Sequence, residues 1–376
     1  MTDIGLYIHI PYCASRCRYC GFYSTTCTPT EAYIEALLRE AAMRKKEIGE
    51  RMASTVYLGG GTPSRLPVSF LARLLQGLDE IFPFAADAEV TMEMNPSDMS
   101  ADYLSAVRAL GVNRLSVGVQ SFDDRLLSAI GRRHTAAEAK AAVRLAYRAG
   151  FKNISIDLMY ELPGQSVRDF ERSLLSTVHL PISHVSVYSL ILEEGTPFAR
   201  LAEKGKLPRP TESESWEMYR AMERILPHYG FRRYEIASFA RAGAVSRHNR
   251  KYWKLDEYLG LGPAAASRIG HTRLMNHPDL SAYLAALQKG ALPPVDNEPL
   301  TCEEEMEEYC FLHLRMREGI DKKDYAARYG ESIEARYGDV IQDLKGKGLV
   351  KETQEQIFLT KRGVALGNTV FEAFLL

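Results

Sequence analysis

Short runs rich in apolar and β-branched residues recur through the first half of the chain, at residues 6–10, 55–58, 89–94, 114–119, 154–158 and 184–189. Most of them end in Gly, Pro, Asn or Gln. Between them, segments such as 31–47, 101–110, 136–149 and 168–178 place apolar residues three and four positions apart, the spacing of a helix with one face on a sheet. This alternation predicts an α/β fold in which parallel strands carry helices on their outside. Six units are too few for a closed eightfold barrel. The expected architecture is therefore a partial (β/α)6 barrel, open at one side, with its functional site at the carboxyl ends of the strands.

After residue 195 the pattern loosens. Gly195, Pro197, Pro208 and Pro210 interrupt it before an amphipathic helix near 212–225, and the stretch 231–273 reads as irregular. Pro293, Pro294 and Pro299 mark a linker, after which helical sequence runs from 302 to 347 and two short runs, 349–352 and 357–360, form a small hairpin. The expected organisation is residues 1–195 as the barrel, 196–295 as its extension, and 296–376 as a C-terminal winged-helix-like α+β domain. No repeat of fixed period and no low-complexity tract is visible.

With 376 residues, 46% hydrophobic and 25% charged, the chain has the makeup of an ordinary folded protein rather than a disordered or collagenous one. Lys and Arg number 47 against 48 Asp and Glu, a net charge of −1 that offers no overall attraction for a phosphate backbone. A winged helix invites a DNA-binding reading, but residues 301–376 hold 11 Lys and Arg against 15 Asp and Glu, a local balance of −4 that opposes one. No nucleic-acid partner is expected. The first ten residues lack a signal-peptide pattern and no stretch is long and apolar enough for a bilayer, so a cytoplasmic location without a transmembrane segment is expected. Four of the six cysteines, Cys13, Cys17, Cys20 and Cys27, crowd one early loop, which points to metal chemistry in a reducing compartment rather than to disulfides.

Cys13, Cys17 and Cys20 form a CxxxCxxC loop directly after the first strand. Thiolates so spaced suit an iron–sulfur cluster or zinc. A closed zinc site needs a fourth ligand, for which Cys27 and His9 are available. The alternative is a 4Fe-4S cluster held by three cysteines with one iron left open for a small molecule. Tyr19, just before the last cysteine, can pack against a flat ligand. Gly59-Gly60-Gly61-Thr62-Pro63 follows the second strand, where glycines let the backbone approach a ligand closely, and no Gly-Lys-Ser/Thr follows that would make it a phosphate loop. Glu93, Gln120, Arg132 and Asp157 add polar groups at or beyond the third, fourth and fifth strand ends: carboxylates and an amide suited to a ribose, and a guanidinium suited to a carboxylate.

The run Cys13-Ala-Ser-Arg-Cys17-Arg-Tyr19-Cys20 resembles the hallmark loop of the radical-SAM superfamily, in which the open iron chelates the amino and carboxylate groups of S-adenosylmethionine (SAM). The glycine run resembles that superfamily's motif for the methionine amino group. Within the superfamily the chain is similar to the coproporphyrinogen dehydrogenase branch, and more closely to its heme chaperones, over nearly its whole length. This resemblance implies a radical-SAM barrel, a cluster on Cys13, Cys17 and Cys20, and SAM contacts at Tyr7, Gly60, Gly61, Thr62, Glu93, Gln120, Arg132 and Asp157.

Tyr-Glu-Ile at 234–236 and His248-Asn249-Arg250-Lys251-Tyr252-Trp253 resemble two further stretches of the chaperone group. The second makes His248 the leading heme iron ligand, with Tyr252 and Trp253 able to cover a porphyrin face. The implied partners are heme, a heme-acceptor protein, and a reductant protein such as a flavodoxin or ferredoxin. The oxygen-independent oxidase of the same branch is expected to carry a further cysteine two residues beyond the loop and a longer N-terminal arm; here that position is Phe22 and twelve residues precede Cys13. Where the chaperones carry Gly-Pro-Gly-Ala-His-Ser, this chain has Gly262-Pro263-Ala264-Ala265-Ala266-Ser267. Three readings follow from the motifs: a heme chaperone, a radical-SAM oxidative decarboxylase of coproporphyrinogen III, and a zinc-stapled winged-helix binding protein.

Overall fold

The computed structural model describes residues 2–375. Six parallel strands, β1 (Thr2–Ile10), β2 (Arg51–Gly60), β3 (Phe84–Met94), β4 (Arg114–Gln120), β5 (Asn153–Tyr160) and β6 (His184–Ser189), lie side by side in chain order. The crossovers are helical: α1 (Glu31–Ile48), α2 (Val68–Ile81), α3 (Ala101–Ala109), α4 (Asp124–Ala129) with α5 (Ala136–Arg148), and α6 (Val167–Val178). Thr135 with Glu138 and Ser166 with Asp169 form capping boxes that start α5 and α6, each satisfying backbone N–H groups that a helix leaves free at its first turn.

The six strands carry a clear alternation. Ile4, Leu6, Ile8, Val56, Leu58, Val90, Met92, Leu115, Val117, Ile154, Ile156 and Leu158 are buried in the main core beneath the helices. The residues between them, including Tyr57, Glu93, Ser116, Gly118, Asp157 and Ser186, line a cavity on the other face. A parallel sheet covered on both faces ordinarily reads as continuous apolar runs. Here polar residues occupy every second position because the inner face surrounds a site instead of a second apolar layer.

The stretch 231–273, read as irregular, is ordered and extends the sheet at both edges. Strand β8 (Ser238–Ala240) pairs antiparallel with β6, and β7 (Arg232–Arg233) pairs antiparallel with β8 at the outer edge. On the other side β9 (Tyr258–Leu261) pairs parallel with β1, and β10 (Ala266–Ile269) and β11 (Thr272–Asn276) follow antiparallel. The residues marked as a linker include β12 (Val295–Pro299), the outermost strand, whose Pro299 is tolerated because an edge strand needs no donor on its free side. These strands are two to five residues long, too short to show periodicity.

Four further helices precede or follow these strands: α7 (Pro197–Glu203), α8 (Glu212–His228), which packs on α6, the short α9 (Arg247–Trp253), and α10 (Leu280–Gln288), which packs on α1. The C-terminal part has its own core, built from helices at Cys302–Arg315, Lys322–Tyr329 and Ile333–Gly346 and a three-stranded sheet containing the expected hairpin, Val350–Glu352 and Gln356–Leu359. It is fastened to the large sheet by buried charges: Arg268 on β10 bonds Glu305 and, at 3.0 Å, Glu308, which also accepts from Arg273 at 2.7 Å. No helix among the described residues is long and apolar enough to cross a membrane.

Candidate functional site

The loop after β1 is fixed at several points. Thr25 N–H donates to Pro11 O at 2.6 Å and Cys13 N–H to Thr25 O at 2.8 Å, closing its base, while Arg18 N–H reaches Ile130 O and Phe198 N–H reaches Arg18 O, both at 3.1 Å. Cys13, Cys17 and Cys20, all half-buried, are thereby held on the wall of one cavity of about 530 Å³. Burial raises the pKa of the Cys20 thiol, and the neighbouring Cys17 and Cys13 add to the effect. Tyr19 lines the same wall and rests against the small apolar cluster of Leu126, Ile130, Met159, Leu162, Leu190 and Phe198. Cys27 is exposed, and neither it nor His9 borders the cavity. His9 is committed elsewhere, its Nδ1 to Tyr7 Oη at 3.2 Å and its Nε2 to Tyr23 O at 2.9 Å.

The glycine run closes over the cysteines. A Cβ on Gly61 would lie 2.8 Å from Ile10 O and 3.1 Å from Cys13 Sγ, and one on Gly60 would lie 2.6 Å from the His9 ring. Only bare backbone fits there. Gly60 also has φ 103°, a conformation costly for any residue with a side chain. Thr62 Oγ1 sits 3.4 Å from Cys13 Sγ.

The opposite wall comes from the ends of β3 to β6. Glu93 accepts from Tyr57 Oη at 2.8 Å and, through burial, is pushed up to about 7, with the Tyr57 bond pulling the other way. Asp157 accepts from Ser116 Oγ at 3.0 Å and is likewise raised by burial. Between the two carboxylates the fully buried Arg114 supplies positive charge to both. Gln120 ends β4 with φ 68°. Its amide and the Arg132 guanidinium both lie over Gly118, and Arg132 donates to Gly118 O and, at 3.6 Å, to Cys17 Sγ. The Arg132 Nε has no partner, so part of a buried guanidinium remains available beside the thiols.

The structure thus brings Cys13, Cys17, Tyr19, Cys20, Gly60, Gly61, Thr62, Glu93, Gln120, Arg132 and Asp157 to one cavity. Tyr7 and His248 are not on its wall. Tyr7 stands behind Tyr57, the two rings stacked with centroids 6.2 Å apart. His248 is fully buried beneath the same tyrosine: its Nδ1 meets Thr55 Oγ1 at 2.8 Å, its Nε2 meets Tyr252 Oη at 2.7 Å, and burial holds its pKa down to about 3. Both ring nitrogens are engaged and neither faces a space a porphyrin would fill. Helix α9 instead forms the floor of the barrel, and of its residues Asn249 reaches the cavity. Tyr57, Arg114 and Ser116 belong to the wall without having been singled out in the sequence, and Asn249 enters the sequence reading only as part of the run 248–253; the alternation of β2 and β4 places Tyr57 and Ser116 on the same face as Glu93 and Asp157.

The donor set fits a cluster. No three His, Cys, Asp or Glu side chains among the described residues converge as one ion would require. A cube distributes its thiolates over separate irons, and the fixed loop, the side-chain-free cradle at Gly60 and Gly61 and the unpartnered Arg132 Nε suit such a group with an amino acid beside it. Fold and site together define a radical-SAM protein, and the radical SAM superfamily profile matches residues 7–176.

The HemN C-terminal domain profile matches residues 300–366. The chain is 39% identical over 372 residues to the heme chaperone HemW of Bacillus subtilis, covering 98% of both chains, and 37% identical to that of Lactococcus lactis, covering 98% and 97%. The heme chaperone HemW of Escherichia coli is 30% identical over 100% of this chain and 99% of its own. Among solved structures, the coproporphyrinogen III oxidase HemN of Escherichia coli, described as a radical SAM enzyme, superposes with a TM-score of 0.86 at 25% identity, covering 99% of this chain and 90% of that one. The chain belongs to the HemW family within the radical SAM superfamily.

Proposed function

We propose that this protein is a heme chaperone: it binds a 4Fe-4S cluster and SAM in the barrel cavity, binds heme, and passes the heme to an acceptor protein. The observation that carries the reading is the joint placement of three thiols, the Gly60–Gly61 cradle and the Glu93, Gln120, Arg132 and Asp157 side chains on one cavity wall, in a chain matching heme chaperones end to end. When bound, the cluster supplies an open iron for SAM and an electron that can be passed to its sulfonium. Cys13, Cys17 and Cys20 would hold the cluster. Gly60, Gly61 and Thr62 admit the methionine end of SAM against backbone, Arg132 neutralises its carboxylate, and Glu93 and Asp157 accept from its ribose hydroxyls. The positive charge of Arg114 lowers the pKa of both carboxylates and so offsets part of the rise that burial imposes on them.

The test is anaerobic reconstitution with iron and sulfide, with spectra recorded before and after adding SAM and then heme, followed by incubation with a heme-free acceptor. Cluster absorbance, a SAM-dependent change at the open iron, stoichiometric heme uptake and release to the acceptor are the expected results. The overlap with HemN favours a second reading, oxidative decarboxylation of coproporphyrinogen III. Anaerobic turnover of that substrate with SAM and dithionite decides between the two, and product formation would reverse the ranking.

A further inference from the structure

Large apolar side chains that stay exposed are scattered over this molecule, with one exception. Phe22, Tyr188 and Ile191, exposed by 68%, 44% and 65%, all border the mouth of the cavity, and Phe22 and Ile191 are the two most exposed large apolar residues described. They belong to segments that touch. The side chain of Glu193 lies across Gly21 so closely that a Cβ there would be 2.7 Å from Glu193 Cγ. Met159 and Tyr19 continue the apolar surface inward. Tyr188 is half exposed and lines the same cavity as Ser186 and Asp157.

Charge completes the description. Arg16 is exposed at the same mouth, bonded at 3.4 Å to Ser24 Oγ and to no carboxylate among the described residues. The neighbouring Arg133 is already paired with Asp98 at 3.2 Å. A rim with three apolar faces and an exposed guanidinium that meets no carboxylate among the described residues complements a flat molecule that is apolar on its faces and acidic at one edge. His248 offers no such surface, since it lies under Tyr57 with both nitrogens engaged.

We infer that the tetrapyrrole docks across the cavity mouth, its ring against Phe22, Tyr188 and Ile191 and a propionate on Arg16, instead of on His248. The inference rests on the heme-chaperone reading and gives it a location. A ring held there closes the cavity from above, over the space assigned to SAM, and leaves one face outward for an acceptor protein. Binding of this kind depends on buried apolar area at the rim and on one charge pair.

The test is a heme titration of the full-length, cluster-loaded protein, followed in the Soret band, for the parent, Phe22→Ser/Ile191→Ser, Ile191→Ser alone, Arg16→Ala, His248→Ala and His248→Gln. Melting temperature serves as the fold control. Ile191→Ser covers the case in which Phe22→Ser disturbs the cysteine loop, and His248→Gln the case in which His248→Ala fails to fold. The double rim variant is expected to lose about tenfold or more in heme affinity, Ile191→Ser and Arg16→Ala about threefold each, and His248→Gln less than about threefold. Parent-like heme binding by both rim variants, or loss confined to the His248 variants, would overturn the inference. So would a rim variant that binds heme normally yet no longer loads the acceptor, because the rim would then be a protein-docking face. A parent that takes up no heme fails the chaperone reading itself, an outcome distinct from a parent that binds while the rim variants bind equally well.

Discussion

The ring of Tyr57 lies stacked on the imidazole of His248, with centroids 5.1 Å apart and planes 26° apart. The same tyrosine donates to Glu93 at 2.8 Å, so the signature helix α9 reaches the cavity carboxylate through one aromatic side chain. Removing the hydroxyl while keeping the ring isolates that link. In Tyr57→Phe the carboxylate loses a bond that favours its charged form, so its pKa rises above the present value of about 7. SAM binding that relies on a charged Glu93 is expected to weaken about fivefold at pH 7.5 and to recover at higher pH. Calorimetric titration with SAM from pH 6 to 9 checks this; an unmoved midpoint would separate Glu93 from SAM binding.

Glu93 also bears on stability. Its folded pKa of about 7 lies above the ordinary value of 4.5, so its protonated form is favoured in the fold. The stability linked to that proton is fully present below about pH 4.5 and is lost as pH rises through about 7. Glu93→Gln stays neutral throughout. Its melting temperature relative to the parent is expected to increase from pH 5.5 to pH 8 by about 2 °C or more, read by scanning calorimetry without SAM.

The cysteines are predicted to separate into two classes. Cys13→Ala, Cys17→Ala and Cys20→Ala each remove a thiol from the cavity wall and should abolish iron and sulfide incorporation under anaerobic reconstitution. Cys27→Ser, exposed and off the wall, should leave both unchanged. Loss of metal in Cys27→Ser, with zinc and no sulfide in the parent, would instead favour the closed zinc site.

Arg268 holds two buried carboxylates, Glu305 and Glu308, across the junction with the C-terminal part. Arg268→Ala leaves them with less countercharge in a buried setting and is expected to cost about 3–5 kcal/mol in denaturant unfolding. Arg268→Lys should recover only part of this, because an ammonium cannot reproduce a planar fork spanning two acids.

Ala264 adopts φ 60°, left-handed for a residue with a Cβ, at the position where related chaperones are expected to carry Gly. Ala264→Gly relieves that strain while adding freedom to the unfolded chain. The net expectation is a stabilisation of about 0.5–1 kcal/mol in equilibrium unfolding.

Much of the barrel is legible in the sequence because its strands keep a strict period of two: Leu115, Val117 and Val119 go outward, while Ser116, Gly118 and Gln120 go inward. Glu93 and Asp157 are legible for the same reason, and Cys13 and Gly61 because each lies just beyond a strand end; Arg132, which follows helix α4, is legible through the family resemblance. Tyr7 and Tyr57 are harder to separate. Both are inward aromatics on adjacent strands, directly paired in register, and only the packing decides that Tyr57 takes the wall and Tyr7 stands behind it. His248 is the deepest difference. Its neighbours in sequence give no sign that Thr55, almost two hundred positions earlier, occupies its Nδ1. The edge strands β7 to β12 elude periodicity because runs of two to five residues owe their extended shape to pairing with a formed sheet.

Helix α9 has an underside as well as an upper one. Trp253 carries the guanidinium of Arg315 at 4.2 Å, Arg250 pairs with Glu318, and Leu255 just beyond the helix joins the C-terminal core. Seven residues are therefore shared between the chamber and the tail, with Asn249 facing one and Trp253 the other. Cutting the chain before residue 300 would not trim an appendage; it would strip the supports from beneath the chamber's own base.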